Sequence, residues 1–305
     1  YLSTQDTFKD YDFEGSALST LLDVLSYNTL YYAFYSNMIA NEMFLDTAQK
    51  LSSVISLAKP LGYVVPGSRS AEATFQVTAG ALGTSIPKYT LFTGNDETGR
   101  SFNFYNIDTQ TIDGNGFAEF NIYQGSKLFE KVNLTTNEER TKAFIGRTDI
   151  EIRSIEVTVE EPGEDEVIWS LSAATNENLN SDSKVYFLER TDAGFFVVFG
   201  GNYSDGISVS AGKPLPENSV VRVSYITSSG EIGNGVSNFS TTLNLGDNAI
   251  SRTVSPSSGG AVEPDLDAVR FFAPKWFSAQ DRVVTKNDAI AILSRDFVDE
   301  TTDSD

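Results

Sequence analysis

The hydrophobic period of this chain changes between its first and second hundred residues, and that change restricts what it can fold into. From Ser16 up to Pro60 no Gly or Pro interrupts the sequence, and Leu18, Leu22, Leu25, Tyr32, Ile39 and Met43 return at helical spacing. That spacing lines one stripe of a helix. A second stripe, Leu21, Val24, Tyr31, Phe34 or Tyr35, and Met38, runs beside it, and Tyr27, Tyr31 and Tyr35 repeat at i, i+4. A helix that is apolar on more than one face has to be covered on more than one side. Asp46 followed by Gln49 reads as a capping box for a second helix through Leu51, Val54, Ile55 and Ala58, closed by Pro60 and Gly62. Residues 1–66 are therefore expected to form a helical hairpin or a bent pair.

From Ala71 to about Asn244 the period is two. Residues 74–78, 102–105 and 117–122 alternate, and the run from Ile150 to Val159 is rich in β-branched residues. Residues 195–198 and 220–226 read as further strands, with turn clusters at 113–116 and 233–235 between them. Strands this short and turns this frequent predict linked small sheets or a sandwich rather than βαβ units. Residues 255–260 read as a Ser/Gly/Pro linker. After it, Pro264, Asp265 and Asp267 suit the start of a helix that Pro274 stops, and residues 285–288 open another through Ile290, Ile292 and Leu293. The expected class is α+β: an N-terminal helical hairpin (1–66), a central, mainly antiparallel β region (67–250), and a linker with short C-terminal helices (251–305). A division of the β region near 130–165 stays open. The chain opens on Tyr1 rather than Met and ends in an acidic stretch, 299–305, which points to a fragment or a processed product.

Composition bears on function mostly by exclusion. The chain has no His and no Cys. The commonest general base, thiolate nucleophiles, disulfides and His- or Cys-based zinc sites are all out of reach. The net charge of −20 opposes phosphate backbones and anionic membranes. No apolar run approaches the length of a membrane span. Asp113, Asn115 and Glu119 faintly resemble a calcium loop, but the remaining ligands are missing and a hairpin turn explains them better. The acidic run 160–166 reads as a solvated hairpin tip, and no phosphate-binding glycine motif is present. No catalytic residue, metal or cofactor is expected. Two features remain. The Tyr-rich helix is either a core helix packed by the β region or a helix buried by another subunit, and Tyr suits an interface that is wet at its rim. The segment 270–277 gathers Arg and aromatics, the composition of interface hot spots or of an intramolecular wedge. The interface candidates are Tyr27, Tyr31, Tyr32, Tyr35, Met38, Arg270, Phe271, Trp276, Phe277 and Arg282.

Several stretches, in order, resemble the Baseplate J-like proteins of contractile phage tails. They are LDVLSYNT at 22–29, FYSNMIANEMFL at 34–45, AKPLGY at 58–63, GKPLP at 212–216, VRVSY at 221–225, SSGG at 257–260, DAVR at 267–270, and QDRVVT at 280–285. Two places depart from the family pattern: a longer loop at 199–206 and Ala289 where an aromatic is common. Within the family the T-even wedge proteins look most similar, with this chain corresponding to the C-terminal portion. The resemblance implies a virion subunit of the tail baseplate, assembled in the host cytoplasm. It implies a homodimer within each wedge and a ring of dimers around the hub. Implied partners are further copies of itself and wedge gene products seven, twenty-five and fifty-three, without nucleic acid or membrane insertion. Other readings are a virion surface adhesin or glycan-binding β protein, suggested by the Tyr- and Asn-rich β region, and a carboxylate-based glycosidase or metal enzyme.

Overall fold

The computed structural model of the chain describes residues 16–134, 142–172, 179–200, 212–279 and 286. Helix α1 spans Ala17–Asn41. The Ser16 hydroxyl caps it by accepting from the Ser19 amide at 3.0 Å. Helix α2, Leu51–Ala58, buries Val54, Ile55 and Ala58. A 3-10 turn, Lys59–Leu61, follows, and Gly62 closes it in the left-handed conformation (φ 72°). Two helices were expected here, but the capping box is not what joins them. Lys50 occupies the cap position without a side-chain bond. The Glu42 carboxylate instead accepts from the Gln49 and Lys50 amides at 2.9 and 3.2 Å.

The strands are β1 Glu72–Thr78, β2 Ser85–Ile86, β3 Leu91–Asn95, β4 Ser101–Tyr105, β5 Gln110–Thr111, β6 Ala118–Gln124, β7 Ser126–Asn133 and β8 Lys142–Ile145. They continue with β9 Glu156–Glu160, β10 Val167–Leu171, β11 Val185–Thr191, β12 Gly194–Phe199, β13 Val220–Thr227, β14 Ser237–Thr241 and β15 Ile250–Thr253. Helix α3, Leu266–Ala279, comes after them.

The first sheet has the order β14-β3-β4-β6-β1-β15 and is antiparallel throughout. Its edge strands approach each other, with the Phe239 amide donating to Thr253 Oγ1 at 3.3 Å, so the sheet curls. Alternation along β1 sends Ala73, Phe75 and Val77 inward and Glu72, Thr74 and Gln76 outward. The curl encloses Phe75, Phe92, Phe104, Phe120 and Phe239. The Phe75 and Phe92 ring centroids stand 4.7 Å apart, and those of Phe104 and Phe239 4.6 Å.

The second sheet has the order β7-β13-β9-β10-β11-β12-β8. All its pairs are antiparallel except β10 with β11. A separate core fills it, with Trp169 packed edge-on against Phe199 at 5.4 Å among Val157, Val197, Val221 and Val223. The α+β class with a mainly antiparallel centre is what the period change predicted. The strand expected from Ile150 onward differs: residues 152–154 form a 3-10 turn, and β9 starts at Glu156. Polar bonding overrides β propensity at this point. Glu151 caps the turn, and the Ser154 hydroxyl donates to Glu151 O and accepts from the Ile226 amide.

This turn lies on a polar seam between the sheets. The Tyr89 hydroxyl, from the first sheet, donates to Ser154 O, with Ser224 O at 3.2 Å. Glu151, almost fully buried, accepts from the Ser70 amide at 2.9 Å and pairs with Arg153, which reaches Glu72 at 3.3 Å. Lys88 pairs with Glu156 at 3.0 Å. The chain crosses between the sheets at Gly125, where a Cβ would stand 1.9 Å from Thr227 O, so only Gly fits.

A third cluster brings together α2 and α3, which are far apart in sequence. Val54, Ile55 and Ala58 of α2 pack with Val269 and Ala273 of α3, along with Ala48, Tyr63 and Val65. Lys59 bonds Glu189 of β11 at 2.8 Å and ties this cluster to the second sheet. Pro274 does not stop α3, which runs on to Ala279. Pro274 lies on the exposed side, so the backbone bond it removes opens toward water, while Val269 and Ala273 hold the opposite face. Pro264 precedes the helix, and Asp265 caps it by accepting from the Ala268 amide at 2.8 Å. Residues 255–260 are not a free linker. The Ser257 hydroxyl donates to Gly233 O and accepts from the Val236 amide, and Ser258 exchanges backbone bonds with Glu72. The second C-terminal helix expected after 285 lies outside the described residues.

Candidate assembly surface

Helix α1 buries none of its 25 residues. Leu and Ala favour the helix, and the Thr20 and Thr29 hydroxyls satisfy themselves on carbonyls one turn back. Leu21, Leu25, Leu30, Phe34 and Ile39 all stand in solvent, and Tyr32 is 77% exposed. At roughly 1.5 Å per residue the helix is ~37 Å long. An apolar rod of this size exceeds the scattered exposure usual on a monomer surface, which makes it a candidate contact site. Along one side the tyrosines form a ladder. Tyr27 and Tyr31 hydroxyls are 2.6 Å apart with rings edge-on at 4.5 Å, and Tyr31 stacks on Tyr35 at 6.0 Å. The bond to Tyr31 raises the Tyr27 pKa above its ordinary value. The ladder prearranges three large rings, which lowers the ordering cost of docking against them.

Electrostatics favour the same helix. The chain carries a net charge of −20, yet Asp23 is the lone charged residue between 17 and 41. Two copies repel each other elsewhere, whereas α1 offers a nearly neutral approach. Among the described residues no helix is long and apolar enough to cross a membrane.

The ten candidate contact residues separate into groups. Tyr27, Tyr31, Tyr32 and Tyr35 are exposed on α1, and Met38 is half-buried near its end. Phe271 and Phe277 are exposed on the outer face of α3, with Lys275 Nζ 3.1 Å from the Phe271 ring centroid. Trp276 is half-buried against the α2 cluster. Arg270 points inward, donating to Leu45 O at 3.2 Å, to Ala48 O and to Asp267. Arg282 lies outside the described residues. The tyrosines thus lie together on α1, and of the α3 residues Arg270 reaches the turn between α1 and α2.

The residue that sequence reasoning missed is Glu42. It was readable only as an oddity, because a carboxylate at a helix C-terminus faces the wrong end of the dipole. Here it serves the next helix instead. The Ser53 hydroxyl first, then the Gln49 amide, hold its carboxyl below the usual range.

Elsewhere, among the described residues, two shallow concavities stand out. One, of about 380 Å³, lies over β1 and β6, and several of its polar groups are paired: Glu119 with Gln76 at 2.8 Å, and Asn121 with Thr74 and Glu72. The other, of about 290 Å³, holds the Lys213–Glu161 ion pair beside the 160–166 tip. At 113–117 the Asp113 carboxylate accepts from the Asn115 and Phe117 amides, the turn expected there. Among the described residues no three acidic side chains converge on a common centre.

Residues 1–63 match the family described as baseplate wedge protein gp6-like, helical domain. Across 326 aligned residues the chain is 26% identical to the baseplate wedge protein gp6 of Enterobacteria phage T4, with 97% of this chain covered. The chain resembles gp6 along almost its whole length. It spans about half of that relative, 48%. The gp6-like helical match contains α1 and α2 and ends one residue past the Gly62 cap. The Tyr ladder therefore falls inside the gp6-like helical region, while α3 falls in the remainder of the gp6 alignment.

Proposed function

We propose that this chain is a structural subunit of a contractile phage tail baseplate and that α1 carries its self-association. One observation supports the reading above others: a helix of 25 residues with no buried residue, aromatic on its exposed faces and nearly free of charge. Likeness to gp6 supplies the setting. In that setting two chains dimerise within a wedge, neighbouring wedges join into a ring around the hub, and the site of action is the virion tail. Further partners are wedge proteins resembling gene products seven, twenty-five and fifty-three. The exposed Phe271 and Phe277 of α3 are the second candidate contact. Enzymatic activity has no part in this reading.

The test is the mass of the species in solution. Sedimentation equilibrium is expected to show a self-associated form whose contact buries more than about 1,000 Å². Tyr31→Asp places a charge in the middle of the ladder and is expected to raise the dissociation constant by at least ~100-fold. Glu164→Gln, in the 160–166 tip, changes charge by the same amount and is expected to leave it unaltered. A monomer at high concentration, or equal effects of the two variants, overturns the role given to α1.

A further inference from the structure

Arg270 has the composition of a contact residue but not the placement of one. Its neighbours on α3, Val269 and Ala273, are fully buried against α2, and its guanidinium turns along that buried side. Nε donates to Leu45 O at 3.2 Å, Nη2 donates to Ala48 O, and Nη1 is held by Asp267. Leu45 and Ala48 belong to the turn that carries the chain from α1 into α2. Glu42 ties the same turn from the other side, its two oxygens taking the Gln49 and Lys50 amides. Thr47 Oγ1 adds a bond to Asn41 O, the last residue of α1, at 2.7 Å.

Among the described residues α1 has only a few half-buried side chains and none fully buried, so packing against the body contributes little to its direction. Whatever aims it acts at its C-terminal end. We propose that Arg270 and Glu42 form a rigid elbow that fixes the direction of α1, which makes Arg270 a positioning residue for the assembly helix rather than part of its contact surface. This rests on α1 being the assembly surface. The lever is long: a swing of about 20° at the elbow displaces a point ~23 Å along the helix by ~8 Å. A ring needs its contact surfaces at a repeatable angle, and a loose elbow would deliver the same apolar helix at many angles. The guanidinium suits the task because its fork spans two carbonyls at once, whereas an ammonium is a single point charge.

The chain has no Cys, so two introduced thiols carry spin labels without background. The reporting pair is Ser26→Cys on α1 with Glu97→Cys on the exposed turn after β3. The control pair is Glu97→Cys with Ser278→Cys on α3. All distance measurements use the full chain, at a concentration where sedimentation finds it monomeric. The unaltered elbow is expected to give a narrow distance distribution for both pairs. Arg270→Gln, Arg270→Lys and Glu42→Gln are each expected to broaden the reporting pair by on the order of 8 Å while the control pair stays narrow. If Arg270→Gln also broadens the control pair, α3 has left α2, and Glu42→Gln, which does not touch α3, then decides. A reporting pair that is broad in the unaltered chain, or that stays narrow in Glu42→Gln and both Arg270 variants, overturns the elbow. Tyr31→Asp on the labelled chain separates the two ideas: it is expected to abolish association and leave the distribution narrow. Intact association in that variant removes the role of α1 without touching the distance result.

Discussion

Gly94 on β3 faces the interior of the first sheet, where a Cβ would stand 2.5 Å from the Phe239 ring and 2.7 Å from Val236. That ring is already packed on Phe104 and has no room to retreat. Gly94→Ala is expected to cost roughly 1–3 kcal/mol by overpacking, read as a lower urea midpoint with an unchanged slope. An unchanged midpoint means that the aromatic core is looser than described. Glu42 offers a second residue-scale prediction, in pH. Its carboxyl is held low by the Ser53 hydroxyl, the Gln49 amide and the Lys50 amide. The folded-state pKa therefore lies below the unfolded one. The contribution of the ionised form is complete above the ordinary carboxylate range and is lost as pH falls through the lowered folded value. Carboxyl-carbon NMR is expected to place the Glu42 midpoint below that of an unstructured Glu, with Ser53→Ala moving it upward. A midpoint at the ordinary value removes the carboxylate from the elbow. At this scale, sequence made the Tyr ladder visible because i, i+4 spacing alone places those rings together. It left Arg270 open between an interface contact and an intramolecular wedge, since composition names a residue able to make strong contacts but not the direction in which its guanidinium points.

The elements were legible wherever one pattern acted alone. β1 followed strict alternation, β6 followed it as far as Ile122, and α1 followed a breaker-free helical period. Pattern failed where another interaction competed with it. Pro274 sits within α3 because packing of Val269 and Ala273 on α2 outweighs one missing backbone bond on the wet side. Ile150 and Ile152 lie outside any strand because Glu151 and Ser154 bond the backbone into a turn. The open alternative for α1, core helix or subunit contact, could not be decided from periodicity, since both demand the same apolar faces. Among the described residues it has no fully buried side chain. A chain beginning at Asn41 should therefore keep the stability of the rest. Calorimetry below the association range is expected to show a midpoint within about 2 °C of the longer chain. A fall of ~5 °C or more would show that α1 leans on the body after all. The same shortened chain should stay monomeric at concentrations where the longer one associates.

At the scale of the whole molecule, the two β bodies have separate apolar cores, and what joins them is polar. A division of the β region near 130–165 could only be left open from the sequence, because strand-forming residues recur from Ala71 to Thr253 and pairing partners cannot be read from alternation. The seam is held by Tyr89 on Ser154 O, by Glu151 with Ser70 and Arg153, by Arg153 with Glu72, and by Lys88 with Glu156. Tyr89 is an unusual anchor. Its backbone is left-handed (φ 62°), a costly conformation for an aromatic residue, and burial pushes its hydroxyl pKa far above the ordinary value, so the group stays a neutral donor. Tyr89→Phe keeps the ring and removes only that donor, leaving Ser154 O without it. The expected loss is about 1–2 kcal/mol, carried by the seam rather than by either core. Cooperativity between the bodies should weaken with it. Trp169 lies inside the second core, and the remaining Trp is Trp276 on α3. In a Trp276→Phe background fluorescence therefore follows the second body, while circular dichroism follows both. With Tyr89 present the two urea transitions are expected to coincide. With Phe at 89 they should separate. If they still coincide while both move down together, the seam transmits stability without Tyr89, and the Glu151–Arg153–Glu72 bridge is the part that couples the sheets.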